Sequence, residues 1–438
     1  MNGDKTNKIS LILFLLLMAG LILPSVQQFT KIIDVGPLYG AIEKADKPSL
    51  SLKSWADEGF QSSTEKYLNQ AFGFRNWFVR LHNQIAYSLF RETNAHSVVI
   101  GKASYLYEEN YIKTYYGRDF IGDSLMAARI ARLKYLHDTL ASLGKELIVV
   151  MAPGKADFYP GFIPDYLRGE RYKTNYEAFI EDAADAHLDI IDFNRWFIER
   201  KNSSPYPLYP KTGIHWSRYA MNLVIDSLIR YIGEKRNLDM PDAVIGPVHL
   251  SRRLLSPDRD IEDGMNLIFD IPNFPMAYAD ITFNDTGKEK PSIMVISDSF
   301  FWGLYNKGFI DHAFDEGEFW FYNREIFSPM ITGSQMVSQV DLFKKLMQKD
   351  IVMLMTTDAN LVKFPWGFDE SAVFALKNLK DYNIMQLLRK EKIEGYIRAI
   401  KASPEWFEKV KAKAAKRNIP VDSMLRLDAA YMVDNEGK

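Results

Sequence analysis

The stretch "SIMVISDSFFWG", residues 292–303, decides the architecture. Six apolar or small residues run without a charge, and an acid, a serine and aromatic residues follow. The pattern predicts a strand buried on both faces, a sharp turn, and a helix start. A strand buried on both faces needs helices above and below its sheet, which makes the sheet mainly parallel. Two further runs have the same character: "KELIVVMAPGK" (145–155) and "DIVMLMTT" (350–357). "LDIID" (188–192) adds a shorter one. Between them lie helical periodicities over 122–143, 174–186 and 218–232, the first ending at Gly144, a residue suited to a helix C-terminus. The expected fold is α/β, with a mainly parallel central sheet and helices on both faces. Functional residues then belong in the loops at the carboxyl ends of the strands.

The flanks read differently. "MNGDKTNK" carries Lys5 and Lys8, and "ISLILFLLLMAGLILP" (9–24) follows without a charge. Extended through "SVQQF", it reaches the length needed to span a bilayer, with lysines on the side that stays in the cytoplasm. The expectation is a cytoplasmic tail (1–8) and an uncleaved signal anchor (9–29), the rival being a cleaved signal peptide. Either reading exports the body. A stem of mixed polarity (30–65) precedes "STEKYLNQAFGFRNWFVRLHNQIAYSLF" (63–90), read as an amphipathic helix broken near Gly73. "SVVIGKASYLYEENY" (97–111) reads as a hairpin. The main domain is set at 66–384 and a helical appendage at 385–438, where Ser403 and Pro404 open one helix and Asp422 is placed to cap another.

Composition excludes several functions. The net charge of −2 gives no global basic field to attract nucleic acid. The absence of cysteine removes thiolate zinc sites, cysteine nucleophiles and lipoprotein anchoring. No metal is expected: among seven histidines, "HNQIAY" and "HAFDE" lack partners at ligand spacing. No nucleotide-binding loop for acetyl-CoA is evident, and no cofactor is expected.

Two positions carry chemistry. Ser299 stands at the strand-to-helix turn, where free backbone N–H groups can stabilise an oxyanion. The plainer alternative is that Asp298 or Ser297 caps the helix and Ser299 is passive. In "KTGIHWSRYA" (211–220), His215 is either a proton acceptor or a packed residue beside Trp216, with no acid within three positions. A serine hydroxyl needs a nearby base, and two loops at one sheet edge can join the pair.

The ordered segments "AFGFRNWFVRLHN", "VVIGKASYLYEENYI", "VVMAPGKADFYPGFIP", "KTGIHWSRYA", "RDIEDGMNLI" and "VISDSFF" resemble the alginate O-acetyltransferase-like branch of the SGNH-hydrolase-like proteins, over roughly 65–360. The resemblance implies Ser299 as acyl acceptor and His215 as general base. It also implies an exported, membrane-anchored protein that acetylates an envelope or secreted polysaccharide. Its acetyl groups would come from a membrane-bound O-acyltransferase. The expected place is the inner membrane, single-pass, with the body on the periplasmic side. The family's Asp two residues before the histidine is Gly213 here. Asp157 or Asp298 could substitute, a backbone carbonyl could orient the ring, or the site could be degenerate. Tyr305 is a candidate at the oxyanion. Trp216, Lys155 and Arg324 are candidates for sugar binding, and Asp358 could face the cleft. An esterase on the same scaffold and a non-catalytic glycan-binding or assembly protein are the alternatives.

Overall fold

The four apolar runs become strands of one seven-stranded sheet. Its members are β1 (Glu146–Ala152), β2 (Ile190–Asp192), β3 (Ile293–Ser297), β4 (Gly317–Phe321), β5 (Glu325–Phe327), β6 (Gln335–Met336) and β7 (Ile351–Thr357). Their spatial order is β6-β5-β4-β3-β7-β1-β2. The five strands from β4 to β2 run parallel, and β5 and β6 add an antiparallel edge. Every residue of β3 and β7 is buried, as a two-sided cover requires. Leu354 of β7 pairs with both Ile296 and Val149, so β7 holds the centre. Truncating Ile296 to Ala there would cost about 2–5 kcal/mol.

The computed structural model describes residues 2–40, 45–377, 379–417 and 419–434. Two compact units result: Met1–Gln339 with Gln348–Gly367, and Val340–Met347 with Phe368–Lys438. In the first, α1 (Asn2–Thr30) is a long helix whose apolar side chains are largely exposed. The run 63–90 is two helices, α2 (Gly59–Ala71) and α3 (Arg75–Ile85), followed by a π-helical turn at Ala86–Phe90. Gly73 lies between them, against α1: a Cβ there would fall 2.0 Å from the Pro24 carbonyl oxygen.

Helices α4 (Asp123–Ser142), α5 (Asn175–Asp185) and α6 (Arg218–Arg236) precede or connect the strands. Thr174 and Glu177 form a reciprocal capping box on α5, and Gly144 ends α4 with φ of 70°. Ser217 caps α6 by accepting the Ala220 N–H, which fixes where the His215 loop stops. Two short helices, α7 (Asp260–Met265) and α8 (Phe301–Tyr305), complete the surroundings of the site. The hairpin Val98–Ile100 with Leu106–Glu108 forms as the Gly-Lys turn implies. The β4–β5 hairpin and two small pairs, Asp242–Ile245 with Ile281–Asn284 and His249–Ser251 with Met276–Tyr278, were not foreseen.

The second unit contains α9 (Phe368–Lys377), α10 (Leu379–Ala402), α11 (Pro404–Arg417) and α12 (Val421–Asp434). Ile397, Ile400, Val410, Met424 and Leu425 pack together as a small core. Ser403 Oγ accepts the Trp406 N–H at the start of α11. Asp422 lies inside the first turn of α12 rather than ahead of it, so it favours the helix dipole but is not the cap.

Candidate active site

Four loops meet at the carboxyl edge of the sheet. β3 ends at Ser297 and the chain turns through Asp298, Ser299 and Phe300 into α8. Ser299 Oγ lies 3.0 Å from Nε2 of His215. The other ring nitrogen, Nδ1, is hydrogen-bonded to Oδ2 of Asp260. A carboxylate only accepts, so Nδ1 carries the proton and Nε2 is free to take one from the serine. Asp260 Oδ1 accepts the N–H groups of Ile214 and Ile261, both at 2.8 Å, which fastens the acid to the histidine's own loop. Burial pushes the His215 pKa down; the charge and hydrogen bond of Asp260 push it up and prevail, so it stands above the ordinary value.

Asp260 explains Gly213. A Cβ at 213 would lie 2.5 Å from the Pro257 carbonyl oxygen and 2.9 Å from that of Asp258. The segment delivering Asp260 occupies the space an acid at 213 would need. The acid therefore arrives from α7 instead of from two residues upstream.

The loop is held from below. Lys155, completely buried, donates from Nζ to the carbonyls of Lys211, at 2.9 Å, and Gly213. Its ammonium also sits over the rings of Tyr107 and Tyr209. Burial lowers its pKa to about 7, although Asp260 and Glu108 oppose the shift. The Tyr209 hydroxyl donates to the Ile214 carbonyl. Lys155 is thus a support of the His215 loop, with no exposed surface for a sugar.

Asp298 does not orient the histidine. Its Oδ1 accepts the Phe300 N–H at 3.0 Å, and its Oδ2 accepts from the Thr357 N–H and hydroxyl and from Asn360 Nδ2. It pins the serine turn to the end of β7. Asp157 is elsewhere, bonded by Asn194 Nδ2 at 2.9 Å. Asp358 is wholly buried beneath Gly154, whose added Cβ would fall 2.4 Å from its carboxylate, so it faces no cleft. Trp216 is also fully buried, packed on Phe193, Phe197 and Phe300, and Phe300 in turn stacks near the imidazole. It buttresses the site and offers no face to a sugar.

The hydroxyl beside Ser299 belongs to Tyr322, not Tyr305. Tyr305 packs on Trp302 and Phe319. Burial, followed by the charge of Asp298, pushes the Tyr322 pKa up to about 12, and the neighbouring Ser299 opposes the shift. With Asn323, Tyr322 forms the centre of a tight turn in the three-residue β4–β5 connection, at φ of 49° and 52°, closed by the Arg324 N–H on the Phe321 carbonyl. Left-handed backbone is costly for a tyrosine, and the Tyr322 N–H, donated to the Ser297 carbonyl at 2.8 Å, holds it there. Arg324 follows, exposed. The sequence signal was "FWFYNRE", a run of aromatic residues leading into an Asn-containing turn.

A cleft of about 380 Å³ opens over the serine and histidine. Arg218, Met221, Trp302, Asn306 and Lys307 are among its walls. Burial, and then Arg218, lowers the Lys307 pKa to about 8.

Comparison with known proteins finds similarity over part of the chain. No curated protein matches. Among solved structures, the O-acetyltransferase domain of Pseudomonas putida AlgJ is similar over 64% of this chain and 99% of that one, at 16% identity and a TM-score of 0.42. Pseudomonas aeruginosa AlgX is similar over 61% and 66%, at 14% identity and 0.38. Bacillus cereus PatB1 is similar over 55% and 91%, at 11% identity and 0.36. The profile described as "SGNH hydrolase-like domain, acetyltransferase AlgX" matches residues 98–243, which include His215 and end before Asp260 and Ser299. Over that segment the chain resembles the AlgX-type branch of the SGNH-hydrolase-like proteins, the resemblance its motifs imply.

Proposed function

We propose that the protein is a polysaccharide O-acetyltransferase working through an acyl-serine. The observation that carries this reading is the 3.0 Å contact of Ser299 Oγ with His215 Nε2, backed by Asp260 on the far nitrogen. His215 removes the Ser299 proton as Oγ attacks the acetyl carbonyl, then returns it to the leaving oxygen. The Tyr322 hydroxyl, beside Ser299, is the proposed donor to the developing oxyanion. In the second half, His215 takes the proton of a sugar hydroxyl, which attacks the ester and frees Ser299. Arg218 and Lys307 in the cleft suit an acceptor bearing negative charge. The acceptor is an envelope or secreted polysaccharide, and the donor a membrane-bound O-acyltransferase. With α1 as anchor, the body sits on the periplasmic side of the inner membrane.

The test is incubation of the full chain with an activated acetyl ester and an oligosaccharide, read by mass spectrometry. Acetylated sugar and a transient acetyl group on Ser299 are expected, both lost in Ser299→Ala. Transfer that survives Ser299→Ala overturns the nucleophile; free acetate without acetylated sugar makes the protein an esterase.

A further inference from the structure

Helix α3 is built inside out for a soluble protein. Several of its polar side chains bond into the protein: Asn76 Nδ2 donates to the Gly36 carbonyl, Arg80 to the carbonyls of Val35 and Pro37, and Asn83 Nδ2 to that of Met265. Gln84 Oε1 accepts the N–H groups of Ile268 and Phe269. Positions 76, 80, 83 and 84 form one helical face. The opposite face carries Phe78, Ile85 and the exposed His82, with Trp77 at its edge beside Gln84; Trp77, Phe78 and Ile85 remain 46%, 43% and 45% exposed. Just beyond, Leu89 is 72% exposed. An ordinary surface helix does the reverse, turning its apolar stripe to the core.

What covers this face follows from where α3 begins. Gly73, just before it, is pressed against Pro24 and Gln28 in the last two turns of α1. Ile9 to Thr30 carry no charge, a length of about 33 Å in a helix, against a hydrocarbon layer of about 30 Å. The end of α1 therefore lies at the outer boundary of the bilayer, and α3 starts at that depth.

We propose that α3 lies along the outer surface of the membrane, with Trp77, Phe78 and Ile85 in the boundary between headgroups and acyl chains. The proposal rests on the reading of α1 as membrane-spanning. Aromatic residues favour that boundary, and helices with one apolar face bind there in the plane of the membrane. The lipid surface is thus a second attachment, which fixes the orientation of the body as well as its distance.

The chain has no cysteine, so a single introduced one takes a label alone. Full-length Ile12→Cys, Phe78→Cys, Ile85→Cys and Tyr166→Cys would carry a nitroxide in vesicles of phosphatidylethanolamine and phosphatidylglycerol. Tyr166, 76% exposed, serves as the aqueous reference. At 78 and 85 the expected result is collision with oxygen rather than with a water-soluble nickel chelate, the nickel rate being about tenfold below that at 166. Nickel access equal to that at 166, with Ile12→Cys still in lipid, overturns the proposal and leaves the anchor standing. Shielding from both probes means a protein contact, such as a second copy, and also overturns it. Nickel access at 12 overturns the anchor and this proposal together. Without any cysteine, brominated lipids should quench part of the tryptophan emission, and Trp77→Phe should remove that part; unchanged quenching counts against the proposal.

Discussion

Asp260 reaches His215 from 45 positions further along the chain. Its carboxylate raises the pKa of a ring that burial alone would lower. The acid limb of kcat/KM should therefore lie above about 6.5, the ordinary histidine value, because the base works only when neutral. In Asp260→Asn the upward push is gone and burial remains. The limb should move to lower pH, and kcat should fall by up to about 10⁴ as the ring loses its tautomer. A pH–rate profile of ester cleavage checks both. Tyr322→Phe removes the proposed oxyanion donor and leaves the ring; kcat should drop by about 10²–10³ with KM and Tm nearly unchanged. Ser299 and His215 were legible because each stands at an element boundary with the right chemistry. Asp260 was not, since a carboxylate distant in sequence carries no local mark of its partner. Tyr305 was favoured on helical spacing alone, and α8 ends there with the ring turned into the aromatic core.

Among the elements, the buried strands were the readable part: a run such as "IVMLMTT" has only one environment that suits it. The edge hairpin was hidden because β4 and β5 mix glutamates with aromatic residues and follow no single period. That hairpin bears Tyr322, so missing it meant missing the tyrosine beside Ser299. The loop before α6 makes a firmer prediction. Gly213→Asp restores the residue that the family pattern has, yet its Cβ would drive into the Pro257–Asp258 backbone. The variant should lose about 1–3 kcal/mol of stability and most of its activity, not gain any. Thermal unfolding and ester cleavage measured together check it. Lys155→Met is the companion: removing two donations to the same loop should lower kcat about 10–100-fold while the cleft residues stay in place, as single-turnover rates would reveal.

At the scale of the molecule, the sheet brings together what the chain keeps apart. Lys155 follows β1, Ser299 follows β3 and Tyr322 follows β4, each at a carboxyl end, while His215 and Asp260 come from the long excursion between β2 and β3. That rule of open α/β sheets made the site's place legible before its members were. The face of α3 was also visible in sequence as an amphipathic helix, but not its direction, which depends on partners as distant as Met265 and Ile268. A consequence concerns biogenesis. A chain made from its N-terminus delivers His215 before Asp260 and Ser299, so the triad closes only when all three have folded together. The proposed acyl transfer therefore needs the finished fold, and activity recovered on refolding should track the final cooperative phase and show no earlier burst.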